Sequence, residues 1–237
     1  MSAKPHCIDI PDTNQGLALD LFTIPHHYKD AVSSVLISHG QILDRVEKLA
    51  QDITRDVGQK HLIAICVLKG GHQFFADLLL HMKKFNSREG SAPLSIDFIR
   101  VKSYHNDQST GTVTITGGDL ESIRGKEVLI VEDIIDTGKT MTMLLKELEK
   151  YEPAKVRVAS LLVKRTHLSN GYVPDYVGFS IPDKLATLWT ISFMPLLHAH
   201  TRFPTLLFAP YHRHTEWFRD LDHICIISDV GKTKYAA

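Results

Sequence analysis

The chain has 237 residues, 43% hydrophobic and 23% charged, which suits one well-buried domain of ordinary globular composition. Lysine plus arginine and aspartate plus glutamate both number 27, so no overall charge draws it to nucleic acid or to an anionic membrane. The opening residues show neither the apolar core of a signal peptide nor the Arg/Ser-rich character of a transit peptide, so a cytoplasmic protein is the default reading. The longest apolar stretch, roughly Leu185 to Leu197, is too short to span a bilayer and is broken by Pro195. Cys7, Cys66 and Cys225 are too scattered for a disulfide framework or a CxxC zinc site.

Taken in order, Ser38 predicts the cap of a helix running to about Val57, because Ile42, Val46, Leu49 and Ile53 recur at helical spacing. "LIAICVLKGG" is a short apolar run ending in Lys69 and two glycines, which predicts a buried parallel strand and a tight turn. Phe74, Phe75, Leu78 and Met82 put the next segment on a helix, and "LSIDFIRV" on a second strand. "SYHNDQSTGTVTITGG" is polar, Gly-punctuated and β-branched, as in a mobile hairpin. "EVLIVEDIIDTGKTMTMLLKELEKY" follows as strand, loop and amphipathic helix. "VRVASLLVKR", "YVGFSI" and "HICIIS" supply further strands. Strands alternating with helices predict an α/β fold with a mostly parallel sheet covered on both faces, whose ligands bind beyond the carboxyl ends of the strands.

The richest strand end is Val128–Val131, which emerges directly into Glu132 and Asp133. Asp136-Thr137-Gly138-Lys139-Thr140 then leads into a helix. Backbone N–H groups of such a turn point outward, a glycine permits close approach, and the threonine hydroxyls add donors, so this is a candidate phosphate cradle. It is not a Walker A loop, because Asp133 stands where that motif needs its first glycine. Two carboxylates beside a phosphate site should face sugar hydroxyls or a Mg²⁺ ion bridging to a diphosphate. The plainer alternative is an acidic loop that merely caps a helix. Two acids directly after an apolar strand favour the ligand site.

"VLIVEDIIDTGKTM" resembles the phosphoribosyl-diphosphate signature of purine phosphoribosyltransferases. "VLKGG", "DFIRVKSYHNDQSTG", "VASLLVKRT", "GFSIPDK" and "FRDLDHICIIS" extend the resemblance to the hypoxanthine-guanine phosphoribosyltransferase family over most of residues 16–184 and 216–237. The resemblance implies a type I phosphoribosyltransferase fold in one domain spanning residues 1–237, with a small hood from the N- and C-terminal segments. It implies a purine-salvage transferase that converts hypoxanthine or guanine plus 5-phosphoribosyl 1-diphosphate to IMP or GMP plus diphosphate. Mg²⁺ is the implied cofactor, and a homodimer or homotetramer the implied assembly. Carried over residue by residue, Glu132 and Asp133 would bind the ribose hydroxyls and are the candidate metal ligands. Asp136 would be the catalytic base or acid at purine N7. Ile134 and Ile135 belong to the same binding stretch, and Thr137, Gly138, Lys139 and Thr140 would hold the 5′-phosphate. Lys69 and Gly70 would form the diphosphate loop, with a cis peptide preceding the lysine. Ser103 and Tyr104 would lie in a hairpin closing over the reacting centre, Lys164 would donate to purine O6, Lys184 would also face the purine, and Arg219 would contact diphosphate.

After Ile181-Pro182-Asp183-Lys184 the family continues FVVGYALDYNEYFRDL or a close variant, whereas this chain has LATLWTISFMPLLHAHTRFPTLLFAPYHRHTEWFRDL. Leu185 replaces the aromatic that stacks on the purine, and Arg213 stands where the family's Mg²⁺-binding aspartate would fall. Leu168 occupies a position where relatives usually carry arginine. GYALDY written GGC TAC GCT CTG GAC TAT and read one base later gives Ala-Thr-Leu-Trp-Thr-Ile, which is Ala186 to Ile191. Residues 185–215 therefore read as a frame-shifted, non-homologous replacement within the hood. The two His-x-His pairs, at His198/His200 and His212/His214, could instead supply metal ligands, although zinc binding does not explain the residues before them. The rival functional reading is a catalytically impaired homologue that still binds phosphoribosyl diphosphate or nucleotide and acts as a binding or subunit-interaction protein. Against base loss, Asp136 and Lys164 are retained.

Overall fold

The computed structural model describes residues 6–89, 92–103, 113–183 and 221–235. Its centre is a sheet of strands β1 (Ile8–Asp9), β3 (Leu62–Leu68), β4 (Leu94–Ser103), β5 (Val113–Thr116), β6 (Glu127–Ile135), β7 (Lys155–Arg165) and β8 (Tyr176–Pro182). The spatial order is β1-β8-β7-β6-β3-β4-β5. Every pairing is parallel except β4 with β5, where Ser103 lies opposite Val113. A separate antiparallel pair, β2 (Val32–Ile37) with β9 (Ile224–Ile227), forms the hood. "HICIIS" is thus a strand, but of the hood rather than of the main sheet.

Helix α1 (His39–Val57) starts where the pattern predicted. Ser38 accepts from the Gln41 amide while the Gln41 side chain accepts from the Ser38 amide, a reciprocal capping box. The face it buries carries Ile42, Val46, Leu49, Ala50, Ile53 and Val57. With α2 (His72–Glu89) it covers one side of the sheet, packing on Leu62, Ala64, Cys66, Leu129 and Val131. Helix α3 (Lys139–Leu148) covers the other side through Met141, Leu144 and Leu148, against Ile63, Ile65, Val128 and Ile130. Each fully buried Leu, Ile or Val contributes about 1.5–3 kcal/mol, so the central strands read as unbroken apolar runs because both their faces are covered.

The hood has its own small core of Ile24, Tyr28, Val32, Val35, Leu221 and Cys225, and Gly231 of the final helix α4 (Asp229–Tyr235) lies close to the Ala31 carbonyl. The hood is tied to α1 where the His39 amide donates to His223 Nδ1 at 2.9 Å. Burial pulls the His223 imidazole below its usual value, which keeps that nitrogen an acceptor. Two arginines stitch the N-terminal edge strand to the sheet. Arg45 donates to the His6 carbonyl as well as to the Val177 and Gly178 carbonyls, and Arg165 bonds Ser180, Ile10 O and Asp12. Arg165, one of two charges at the end of β7, is therefore a brace. Among the described residues no helix is long and apolar enough to cross a membrane.

Candidate active site

From β3 the chain crosses to β4 on one side, and from β6 to β7 and β8 on the other. The sheet therefore reverses direction between its two most central strands, and the crevice at their carboxyl ends is where such folds bind ligands. The peptide joining Leu68 to Lys69 at the end of β3 is cis, as the resemblance implies. Gly70 follows, and a Cβ built there would lie 2.3 Å from Asp133 Oδ2, so only glycine lets this turn settle over that carboxylate. Asp133 is 1% exposed and its Oδ1 accepts from the Ile134 amide at 2.8 Å. Burial, and then the neighbouring Asp133 charge, push the Glu132 carboxyl well above its ordinary value. The two acids at the end of β6 thus act as one electrostatic unit, directly under the β3 turn.

Beyond them, Asp136 and Thr137 lead into Gly138, which caps α3 in the left-handed region with φ 77° and ψ −10°. A turn running into a helix N-terminus in this way is the kind of backbone geometry that receives phosphate. Thr137 Oγ1 accepts from the Lys139 amide at 3.4 Å. The loop is held from outside by Asn170, in the β7–β8 connection. Its backbone N–H donates to the Thr137 carbonyl at 2.9 Å. Its side-chain amide donates to Thr142 Oγ1 at 2.9 Å, and Thr142 in turn donates to the Gly138 carbonyl at 3.0 Å. A Cβ on Gly138 would come within 2.3 Å of Asn170 Oδ1, so that contact as well as the positive φ requires glycine.

The third group sits at the end of β7. Lys164 is 4% exposed, and its ammonium donates to Asp183 Oδ1 at 2.5 Å with Asp136 Oδ1 at 3.8 Å. That ammonium, by hydrogen bond above all, holds the Asp183 carboxyl below its ordinary range. The strand ends therefore bring together Gly70 with Asp133, Glu132 with Asp133, and Lys164 with Asp136. Asp183 carries no role in the sequence reading. The available signal was its position just past an apolar strand, the same cue that singled out Glu132 and Asp133. Thr140, like Lys139, lies in the first turn of α3. Tyr104, Lys184, Arg219 and both His-x-His pairs fall outside the described residues, and for Ser103 the pairing of β4 with β5 is what is described.

Among the described residues no three His, Cys, Asp or Glu side chains converge on a metal position. The adjoining carboxylates of Glu132 and Asp133 do suit a hard cation such as Mg²⁺, which binds proteins through one or two carboxylates and takes its remaining oxygens from phosphates and water.

A family model described as phosphoribosyl transferase domain matches residues 34–194. The chain is 48% identical over 239 residues to the hypoxanthine-guanine phosphoribosyltransferase of Canis lupus familiaris, covering all of both chains. The same identity and coverage hold for the enzyme of Homo sapiens. The chain belongs to the hypoxanthine-guanine phosphoribosyltransferase family. The crystal structure of a Schistosoma mansoni hypoxanthine-guanine phosphoribosyltransferase in complex with IMP superimposes with a TM-score of 0.74 at 32% identity, covering 97% of this chain and 99% of that one. The mostly parallel sheet flanked by helices is the type I fold of that family, as expected from the motifs.

Proposed function

We propose that the chain transfers phosphoribosyl from 5-phosphoribosyl 1-diphosphate to N9 of hypoxanthine or guanine, yielding IMP or GMP and diphosphate. The observation that carries this reading is the buried Lys164 ammonium beside the Asp136 carboxylate. Together they offer a donor for a 6-oxo group and an acceptor for the proton at purine N7, next to a phosphate-shaped loop. In this mechanism the Thr137–Thr140 turn holds the 5′-phosphate and Glu132 and Asp133 accept from the ribose hydroxyls. Lys69, Gly70 and Arg219 receive the leaving diphosphate, and Ser103 and Tyr104 cover the centre against water while Lys184 adds to the purine side. The transition state has oxocarbenium character at C1 with negative charge growing on diphosphate, so preorganised cations and amides stabilise it more than the ground state. Mg²⁺ fits Glu132 and Asp133, and when bound it supplies charge neutralisation on the diphosphate. A cytoplasmic dimer or tetramer acting on small molecules, with neither nucleic acid nor membrane as partner, completes the reading.

The comparisons lend no support to a catalytically impaired homologue. The test is IMP and GMP formation by purified protein with and without Mg²⁺, beside Asp136→Asn. Magnesium-dependent nucleotide formation that falls by about 10²–10⁴ in the variant, the range a positioned acid or base supplies, is the expected result. No nucleotide from either base would overturn the proposal.

A further inference from the structure

We infer that Asp183 is a positioning residue for Lys164, holding the ammonium away from Asp136 so that both groups stay available to the purine. The inference rests on the roles given above to Lys164 and Asp136. Its own basis is geometric. Lys164 emerges at the end of β7 with only 4% of its surface exposed, so its charge must be met by protein groups close at hand. Two carboxylates flank it from the neighbouring strand ends, Asp183 beyond β8 at 2.5 Å and Asp136 beyond β6 at 3.8 Å. The short contact goes to Asp183, and the longer one goes to the residue that handles the proton. A buried ammonium deprived of its nearer partner moves to the farther one, because an unpaired charge out of water is the costliest arrangement open to it. Without Asp183, Lys164 would close on Asp136. That single displacement would remove the donor from the 6-oxo position and engage the proton acceptor at N7, and both losses fall on the purine.

The arrangement also accounts for why a lysine can be buried here before substrate arrives. Asp183 is itself 41% exposed at its side chain, so it can stay solvated while it orients the ammonium. An incoming 6-oxo group then gains a donor that is already aimed and already paired, and less ordering remains to be done on binding. Among the described residues, the groups given to the 5′-phosphate and the diphosphate lie in the turns after β3 and β6, and the polar partners of Asp183 are at the end of β7. Its loss should therefore spare them.

The test compares wild-type protein with Asp183→Asn, Asp183→Glu and Lys164→Gln, each checked for a cooperative thermal transition. Steady-state constants are measured for hypoxanthine and for 5-phosphoribosyl 1-diphosphate, and IMP affinity by calorimetry. Asp183→Asn should raise the hypoxanthine KM and lower kcat, each by about tenfold, the scale of one charge-assisted hydrogen bond, while the KM for 5-phosphoribosyl 1-diphosphate stays within about twofold. Asp183→Glu should recover most of the loss. Equal shifts in both substrates, or an unchanged hypoxanthine KM while Lys164→Gln raises it, would overturn the inference. If Lys164→Gln itself leaves purine binding unchanged, the role given to Lys164 falls, and the inference falls with it. Should Asp183→Asn fail to fold, Asp183→Ser is measured in its place against the same criteria.

Discussion

Gly70→Ala should damage the protein through one collision. Gly70 is not among the glycines with positive φ, so backbone conformation does not forbid alanine there. The obstacle is Asp133: the new Cβ would sit 2.3 Å from Oδ2, 2.8 Å from Cγ and 3.0 Å from Oδ1, where ordinary contact begins at 3.4 Å. One of the two must retreat by about 1 Å, and a carboxylate that is 1% exposed has nowhere to swing. Overpacking of this kind costs about 1–3 kcal/mol. If Asp133 moves, its Oδ1 gives up the Ile134 amide, and losing a hydrogen bond to a buried charged group adds about 1–3 kcal/mol. For a chain of this length each kcal/mol is worth about 2–4 °C, so the two costs together should lower the melting temperature by roughly 4–24 °C. The turn after Leu68 is also the proposed diphosphate loop, so affinity for 5-phosphoribosyl 1-diphosphate should fall at least about tenfold, the equivalent of one charge-assisted hydrogen bond. Scanning calorimetry and ligand titration measure both. A variant that melts within about 2 °C of wild type and binds the diphosphate donor normally would refute the steric reasoning, since such a shift is below about 1 kcal/mol.

Three further outcomes follow from other parts of the molecule. Arg157→Ala should cost about 1.5–3 kcal/mol in denaturant titration, the scale of one hydrogen bond to a charged group, because the 6%-exposed Glu127 keeps Lys60 as a partner. The pair lies at the amino ends of β6 and β7, away from the site, so kcat per folded molecule should not change. Asn170→Leu removes the side-chain part of the brace on the Thr137–Gly138 turn and should weaken IMP binding about three- to tenfold while leaving inosine, which lacks the phosphate, unaffected; equal effects on both ligands would show that the brace does not act through the phosphate. Lys164 depresses the Asp183 carboxyl, so the pair's contribution to stability is present above the unfolded carboxylate value and fades as pH falls through the lower folded one. The melting-temperature gap between wild type and Asp183→Asn should therefore be widest at neutral pH and close in acid.

The legible parts of the sequence were those where one physical demand acted alone. Helix α1 has an apolar face at helical spacing and a reciprocal cap, and β3 and the Val128–Val131 run of β6 are buried on both faces and free of polar residues. Glu132 and Asp133 stood out because acids directly after such runs need a reason. What escaped notice depends on partners distant in the chain. Strand β2 carries Ser33 and Ser34 and is defined by pairing with β9, nearly two hundred residues on, while β1 is two residues long, paired with β8 and flanked by the Arg45 bond to His6 and the Arg165 bond to Ile10. Asn170 looks like any turn asparagine until the fold sets it beside Gly138. Asp183 looks like a strand-end acid until Lys164 is seen to be buried.

The segment after Lys184 calls for a test of its own, because the proposed mechanism needs something there. The resemblance puts Leu185 where the family has an aromatic that stacks on the purine; that loss would be worth about 1–3 kcal/mol, or roughly five- to 150-fold in affinity. The resemblance puts Arg213 where the family's Mg²⁺-binding aspartate would fall, which would set a cation in place of a carboxylate suited to Mg²⁺. The stacking loss should appear in the hypoxanthine KM and the carboxylate loss in the magnesium requirement, so the two can be separated. A version of the protein with FVVGYALDYN restored after Lys184 should lower the hypoxanthine KM at least about fivefold and reach half-maximal rate at less Mg²⁺, with stacking setting the first figure. The KM for 5-phosphoribosyl 1-diphosphate at saturating Mg²⁺ should change little, since the turns after Leu68 and Ile135 are the same in both. Equal constants for the two proteins would refute the claim that residues 185–215 displaced working parts. Sequencing the transcript across Lys184–Glu216 settles the origin: GYALDY codons in the neighbouring frame support a frame shift, and their absence removes it.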